Sequence, residues 1–241
     1  MNERLLGILV DSFPKLLSYG IRVTLPLTAL SFALALVVSV AVALVQYANV
    51  RVLRQICRFY IWIIRGTPLL VQLYLVFYGL PSVGIKLEAY TAAVLVFGFN
   101  EGAYMAETMR GALESVSVGQ MEAGYCVGLS YLQIMAHVVL PQAFRTAFPA
   151  LSNSLISMLK GTSLAATITV MEMFRQAQVI NGRVYESLGL YSEVALIYLA
   201  ICTLLTHLQR IGEKKLAGYG GAAKCCWKRK TYTRPSRAPR S

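Results

Sequence analysis

An uncharged stretch from residue 23 to residue 50 limits what this chain can fold into more than any other feature. A helix rises about 1.5 Å per residue, so about 20 apolar residues are enough to cross the hydrocarbon core of a membrane. The composition agrees, because 56% of the 241 residues are hydrophobic and 14% are charged, whereas roughly a quarter are charged in a typical soluble domain. The sequence therefore predicts an integral membrane protein of the all-α class.

Four further apolar stretches follow, separated by short polar segments. The predicted spanning segments are residues 23–50, 59–80, 89–109, 146–171 and 194–209. Residues 1–20 are interpreted as an interfacial, amphipathic segment that precedes the first span. Residues 217–241 carry seven basic and no acidic residues, and this composition predicts a disordered basic tail that contacts anionic membrane lipid.

The basic residues also predict the orientation, because Lys and Arg accumulate in short cytoplasmic loops. Five spans place the two ends of the chain on opposite sides of the membrane. If the amino terminus is outside, the arginine cluster at 51–58, the polar segment 110–145 and the basic tail all lie in the cytoplasm. We therefore expect an external amino terminus and a cytoplasmic carboxyl terminus.

Several other classes of function lack their sequence signals. The formal net charge is +12, but the tail carries more than half of it, so nucleic acid is not expected as a partner. The five cysteines have neither metal-ligand nor disulfide-framework spacing. The chain also lacks a Gly-rich phosphate loop that ends in Gly-Lys-Ser/Thr. We expect no cofactor on this chain, and any ATP must be bound by another subunit.

The segment 119–141, between the third and fourth predicted spans, has a recognisable spacing. Residues 119–128 read Gly-Gln-Met-Glu-Ala-Gly-Tyr-Cys-Val-Gly, nine residues follow, and residues 138–141 read Val-Val-Leu-Pro. This resembles the permease signature of ATP-binding-cassette (ABC) importers, which is Glu-Ala-Ala, three residues, Gly, nine residues, an aliphatic residue, any residue and Leu-Pro. The matching residues are Glu122, Ala123, Gly124, Gly128, Leu140 and Pro141. The resemblance implies a cytoplasmic coupling helix-turn-helix that docks on an ATPase subunit.

Simple physical arguments give each signature residue an expected role. A glycine permits a sharp turn between two short helices, and Pro141 is expected to stop the second of them. Glu122 is expected near the start of the first short helix, where a carboxylate favours the positive end of the helix dipole. Gly124 replaces the second Ala of the family pattern, which should loosen that helix by up to about 1 kcal/mol.

Further motifs resemble the permeases for polar amino acids. Residues 65–72 read Arg-Gly-Thr-Pro-Leu-Leu-Val-Gln, and residues 102–111 with 118–120 resemble the same subfamily. Residues 151–154, 163–168 and 173–180 are most similar to L-cystine importers. The resemblance covers roughly residues 10–215. It implies a type I ABC importer transmembrane domain over residues 1–216, with five spanning helices, in a bacterial inner membrane. Permeases for arginine, histidine, lysine or glutamine remain alternatives for the substrate.

Ionisable side chains inside spans are functional candidates, because they cost several kcal/mol unless they are paired or face a cavity. Those in the predicted spans are Arg65, Glu101, Glu107 and Lys160. Polar residues at helical spacing from them are Gln72, Asn100, Tyr104, Asn153 and Ser157. We interpret this set as the lining of a polar substrate pathway, in which Glu101 meets the α-amino group of the substrate. The alternative is that the charged residues form structural pairs, such as Glu101 with Arg65 or Lys160.

The resemblance also implies a set of partners. Two permease copies, either identical or paralogous, enclose the pathway, and a dimer of ATPase subunits carries ATP and magnesium. An extracytoplasmic amino-acid-binding protein delivers the substrate. An ATP-independent carrier or channel is the alternative, but such carriers generally have internal repeats and more spans.

Overall fold

The structure, a computed structural model, describes residues 3–48 and 50–218. Helix α1 (Glu3–Tyr19) continues through a π turn (Gly20–Thr24) into α2 (Leu25–Tyr47). Together they form one helix over Arg4–Tyr47. The predicted interfacial segment is thus helical and continuous with the first span, and it packs against the two carboxyl-terminal helices α9 and α10. Its position relative to the membrane surface stays a prediction.

The next helices form an elbow. Helix α3 (Arg51–Gly66) is followed by α4 (Leu69–Tyr74), which continues through a π turn (Leu75–Gly79) and a 3₁₀ turn (Leu80–Val83). The axes on the two sides of the break differ by 104°. Thr67 is extended, at φ −119° and ψ 139°, because the residue before a proline is excluded from the helical region by Pro68. Where the sequence predicted one segment over 59–80, the structure has two helices, and the first begins at Arg51.

Helix α5 (Ala89–Glu114) packs along α2 more extensively than any other pair of described helices. Small residues make this possible, since α2 buries a side chain at every fourth position: Ser31, Ala35, Ser39 and Ala43. Such small-residue stripes let helix backbones approach closely in membranes. The α2–α5 pair forms the centre of the described fold.

The second half of the chain contains α6 (Val118–Cys126), α7 (Tyr131–Ile134), a π turn (Met135–Val139) and α8 (Leu140–Gly161). A 3₁₀ turn (Thr162–Ile168) leads to α9 (Met173–Val184), which is bent by 50° from the preceding helix, and then to α10 (Ser187–Gly218). The segment 172–193, which lies between the fourth and fifth predicted spans, thus contains a helix. The predicted basic tail lies outside the described residues from residue 219 onward.

The described residues contain helices and no strand, as the all-α class predicts. Arg4–Tyr47 and Ser187–Leu216 are long and apolar enough to cross a membrane, and the two bent pairs, 51–83 and 131–184, meet the same criterion when each is taken together. Helix α5 is not among them, although it lies at the centre of the bundle, because Asn100, Glu101 and Glu107 make it less apolar. Helix length and apolarity alone therefore do not reproduce the predicted number of five spans.

Candidate docking and translocation sites

The segment that carries the signature forms a compact helix-turn-helix. Helix α6 ends in a Schellman turn, in which the Leu129 N–H donates to the Gly124 carbonyl (3.1 Å) and the Gly128 N–H donates to the Tyr125 carbonyl (3.0 Å). Gly128 has a φ of +82°, a left-handed conformation in which a glycine has no steric cost. Gly128 therefore occupies the turn where the sequence predicted a glycine.

A capping box starts the second short helix. The Ser130 hydroxyl accepts a hydrogen bond from the Gln133 N–H (3.5 Å), and the Gln133 side chain accepts one from the Ser130 N–H (2.8 Å). This reciprocal pair satisfies two backbone donors at the helix start. Our sequence reasoning missed these two residues, although Ser-x-x-Gln after a glycine is a readable signal.

Two expected roles in this segment are wrong. Glu122 is the fifth residue of α6 rather than part of its first turn, so the helix dipole, which acts within the first turn, does not favour its charge. Pro141 does not stop a helix, because α7, the π turn and α8 are continuous and Pro141 lies in the first turn of α8. The Leu140 N–H donates to the Met135 carbonyl, five residues back. This π-helical hydrogen bond, which runs five residues back instead of four, accommodates Pro141, which has no N–H to donate.

Gly124 has a packing role that the sequence did not reveal. It is buried, and a Cβ atom placed on it would lie 2.7 Å from Cγ1 and 2.8 Å from Cδ1 of Ile134. Ile134 itself is 0% exposed. The glycine therefore lets α6 contact a fully buried isoleucine at the end of α7, and an alanine there would force the Ile134 side chain or one of the two helices to shift. The expectation that Gly124 only loosens α6 is incomplete.

The outer surface of the helix-turn-helix is apolar and exposed, whereas its base is buried. Its exposed apolar side chains are Val118 (71%), Tyr125 (52%), Val127 (74%), Tyr131 (40%) and Leu132 (76%). Glu122 and Ala123 are exposed beside them. At the base, Ile134, Met135 and Val139 belong to the core cluster that α2, α5 and α8 share. An exposed apolar patch on a rigid base is typical of a protein interaction site.

The Tyr131 hydroxyl on this surface stays neutral near pH 7. Partial burial raises the pKa of Tyr131, and the nearby hydroxyls of Tyr47 and Tyr125 raise it further. Since an ordinary tyrosine already titrates near pH 10, a raised pKa leaves Tyr131 as a hydrogen-bonding group without charge.

Two residues predicted to line the pathway, Gln72 and Asn100, also hold the elbow. The Gln72 amide nitrogen donates to the Ile64 carbonyl (2.9 Å), the Thr67 carbonyl (3.1 Å) and the Thr67 hydroxyl (2.8 Å), across the break between α3 and α4. Its oxygen accepts a hydrogen bond from the Asn100 side chain of α5 (3.0 Å). Asn100 is only 8% exposed. The pair therefore fixes the broken helix against α5.

The charged residues in the predicted spans have separate partners. The Arg65 guanidinium lies 5.2 Å from the centre of the Tyr104 ring, a cation–π contact. Glu107 pairs with Arg110 at 3.0 Å. Glu101 of α5 lies close to the Ser154 side chain of α8. Among the ion pairs of the described residues, none joins Glu101 to Arg65 or Lys160, so that structural alternative is wrong.

Helix α8 presents the remaining pathway candidates on one exposed side. Asn153, Ser157 and Lys160 recur at four- and three-residue spacing, and all three are exposed. The Asn153 side chain accepts a hydrogen bond from Gln209 of α10 at 3.4 Å. Lys160 lines a cleft of about 580 Å³ together with Ser163, Phe174, Tyr191, Tyr198 and Cys202. That this stripe lines a substrate pathway stays a prediction.

A buried carboxylate at Glu172 was missed by the sequence analysis. Glu172 is 0% exposed and caps α9, because its oxygens accept hydrogen bonds from the N–H groups of Phe174 (2.9 Å) and Arg175 (2.6 Å). It also accepts one from the Tyr198 hydroxyl of α10 (3.1 Å). An acidic residue directly before a helix is a readable cap signal. The contact with α10 is long-range and has no local signal.

Known proteins resemble this chain over most of its length. The family described as "Binding-protein-dependent transport system inner membrane component" matches residues 35–218. The L-cystine transport system permease protein TcyB of Bacillus subtilis is 44% identical over 210 residues, which cover 87% of this chain and 90% of the relative. The nopaline transport system permease protein NocM of Agrobacterium fabrum is 37% identical, over 86% of this chain and 89% of the relative.

Solved structures show the same fold. A crystal structure of an amino acid ABC transporter with histidines has a TM-score of 0.81 and 32% identity, and the match covers 89% of this chain and 100% of that chain. An inward-facing structure of the MetNI methionine ABC transporter has a TM-score of 0.66 at 18% identity, over 90% of this chain and 99% of that chain. The second likeness supports the fold alone.

Proposed function

The chain belongs to the family of binding-protein-dependent transport system inner membrane components, as a permease of an amino-acid ABC importer, and we propose that it carries L-cystine. The observation that supports this most is the 44% identity with an L-cystine permease, which extends over nine tenths of that relative. The motif residues that resemble cystine importers lie in α8, α9 and the 3₁₀ turn between them.

The helix-turn-helix of α6 and α7 is the proposed docking site for an ATPase subunit. Its exposed apolar side chains and Glu122 would enter a groove on that subunit, which carries ATP and magnesium. Its base is continuous with α8 and packs into the α2–α5 core. Movement of the docked segment would therefore reach the spanning helices without an intervening flexible linker.

The proposed substrate pathway follows the exposed stripe of α8 and the neighbouring polar side chains of α5. L-Cystine has two α-amino and two α-carboxylate groups, so a pathway with both signs of charge is complementary to it. Glu101 would receive an α-amino group and Lys160 an α-carboxylate. Gln72 and Asn100 shape this region through the elbow rather than by touching the substrate. A second permease copy would close the pathway.

The remaining parts of the proposal concern topology and partners. The amino terminus would lie outside and the carboxyl terminus in the cytoplasm, as the loop charges predict. An extracytoplasmic binding protein would then deliver the amino acid to the α9–α10 side. The family and the similar transporters support both proposed partners, the ATPase subunit and the extracytoplasmic binding protein.

The proposed substrate can be tested by uptake of labelled L-cystine. The cells would express this permease together with the ATPase subunit and the extracytoplasmic binding protein. Excess unlabelled L-cystine should abolish uptake, and equal excesses of arginine, histidine or glutamine should leave most of it. Glu101→Gln should raise the KM for L-cystine at least several-fold, because it removes the charge that meets the α-amino group. Efficient competition by arginine or histidine, or an unchanged KM, would contradict the proposal.

A further inference from the structure

Helix α3 carries a ridge of arginines on one side. Arg51, Arg54, Arg58 and Arg65 recur at spacings of three, four and seven residues, so with 3.6 residues per turn they fall within an arc of about 60°. Arg51 and Arg58 are exposed, and no ion pair of the described residues includes either of them. Helix α3 contains no acidic residue. Two unpaired cations therefore face outward near the start of the helix.

An exposed apolar stripe runs beside this ridge. Val52, Ile56 and Phe59 recur at helical spacing and are 66%, 59% and 61% exposed. The opposite side of the helix is packed, since Ile61 contacts Ala103 and Ala106 of α5. The stripe is therefore not the side that holds α3 to the bundle.

Trp62 lies at the boundary between the ridge and the stripe. It is 71% exposed, and its ring stacks on Phe59 with centroids 5.9 Å apart. Tryptophan and arginine are enriched where protein meets the membrane–water interface. The helix thus has three distinct sides: packed, apolar and cationic.

We propose that the amino-terminal half of α3 is a binding site for anionic phospholipid, in which Arg51 and Arg58 contact the headgroup phosphate and Val52, Ile56 and Phe59 contact the acyl chains. A basic ridge beside an apolar stripe matches a lipid, which has an anionic end and an apolar end in one molecule. The elbow supports this placement, because the 104° bend turns α3 away from the direction of α4. An acidic protein surface would match the ridge but not the stripe.

Trp62 offers a direct probe, since the full chain contains two tryptophans, Trp62 and Trp227. In a Trp227→Phe chain, the remaining fluorescence reports the lipid next to Trp62. The chain would be reconstituted in phosphatidylcholine vesicles that contain a small, equal fraction of either brominated phosphatidylglycerol or brominated phosphatidylcholine. The phosphatidylglycerol should quench Trp62 more strongly. Arg51→Gln with Arg58→Gln should reduce this preference, by about fivefold for each arginine.

Two matched sets of variants test whether the charges of Arg51 and Arg58 cause the preference for anionic lipid. Lys86→Gln with Arg183→Gln removes the same charge from exposed positions outside α3 and should leave the preference unchanged. Arg51→Lys with Arg58→Lys keeps the charge and should retain most of it. Equal quenching by the two lipids, or a preference that survives the glutamine pair, would overturn the proposal. Failure of both lipids to quench Trp62 would also overturn it, because a second copy or another protein must then cover the stripe.

Discussion

The docking segment and the elbow region are held together in different ways. In the docking segment, the decisive contacts join residues within one continuous stretch: the Schellman turn, the Ser130–Gln133 cap and the Gly124–Ile134 contact. The elbow also depends on a contact between separate helices, the hydrogen bond between Gln72 of α4 and Asn100 of α5. A locally encoded segment keeps its shape for a docking partner. A region built from long-range hydrogen bonds can rearrange when helices move.

Gln72→Leu should have the largest effect, because it removes the three bonds across the break and leaves the buried Asn100 amide without its partner. We expect a loss of about 3 kcal/mol in the free energy of unfolding, since an unpaired buried polar group costs about 1–3 kcal/mol in itself. Thermal unfolding in detergent measures this. Gln55→Leu, an exposed position on α3, is the matched control.

Hydrogen exchange on the same Gln72→Leu chain tests whether the docking segment is independent of the elbow. Exchange should rise in residues 51–83 and stay unchanged in residues 118–139. Faster exchange in both regions would show that the docking segment also depends on the elbow.

Gly124→Ala should have an intermediate effect, of about 2 kcal/mol, because overpacking against Ile134 costs about 1–3 kcal/mol and alanine recovers up to about 1 kcal/mol of helix propensity. Exchange should rise in residues 118–139 and not in 51–83. In a double-mutant cycle, Gly124→Ala with Ile134→Ala should destabilise by less than the sum of the single changes, since the new methyl group occupies the vacated space. Strict additivity would mean that the two residues do not touch.

Gly128→Ala should have the smallest effect, about 1 kcal/mol, because alanine at φ +82° is strained but nothing lies within 4 Å of its new Cβ atom. Thermal unfolding measures the loss of stability, and co-purification of the ATPase subunit measures any loss of docking. Gly119→Ala, in the same segment at an ordinary φ, should be neutral or slightly stabilising. A larger loss at Gly119 than at Gly128 would contradict the assigned turn.

The difference between the two regions also explains what the sequence could predict. The turn at Gly128 was predicted from the backbone freedom of a single glycine. The break at Pro68 was not predicted, although it follows from the same kind of single-residue preference. The expected roles of Glu122 and Pro141 were wrong because the helix boundaries lie a turn away from the predicted ones. The π turn at residues 135–139 has no simple sequence signal. The Gln72–Asn100 and Glu172–Tyr198 contacts join residues far apart in the chain, so no local pattern could reveal them.

We propose that the α6–α7 segment couples this permease to an ATPase. ATP hydrolysis by the reconstituted complex, with and without the loaded binding protein, tests it most directly in a Glu122→Lys chain. The control is Glu88→Lys, the same charge reversal at an exposed position outside the segment. The account predicts that Glu122→Lys abolishes substrate-stimulated hydrolysis and that Glu88→Lys retains it. Full stimulation in the Glu122→Lys complex would contradict it.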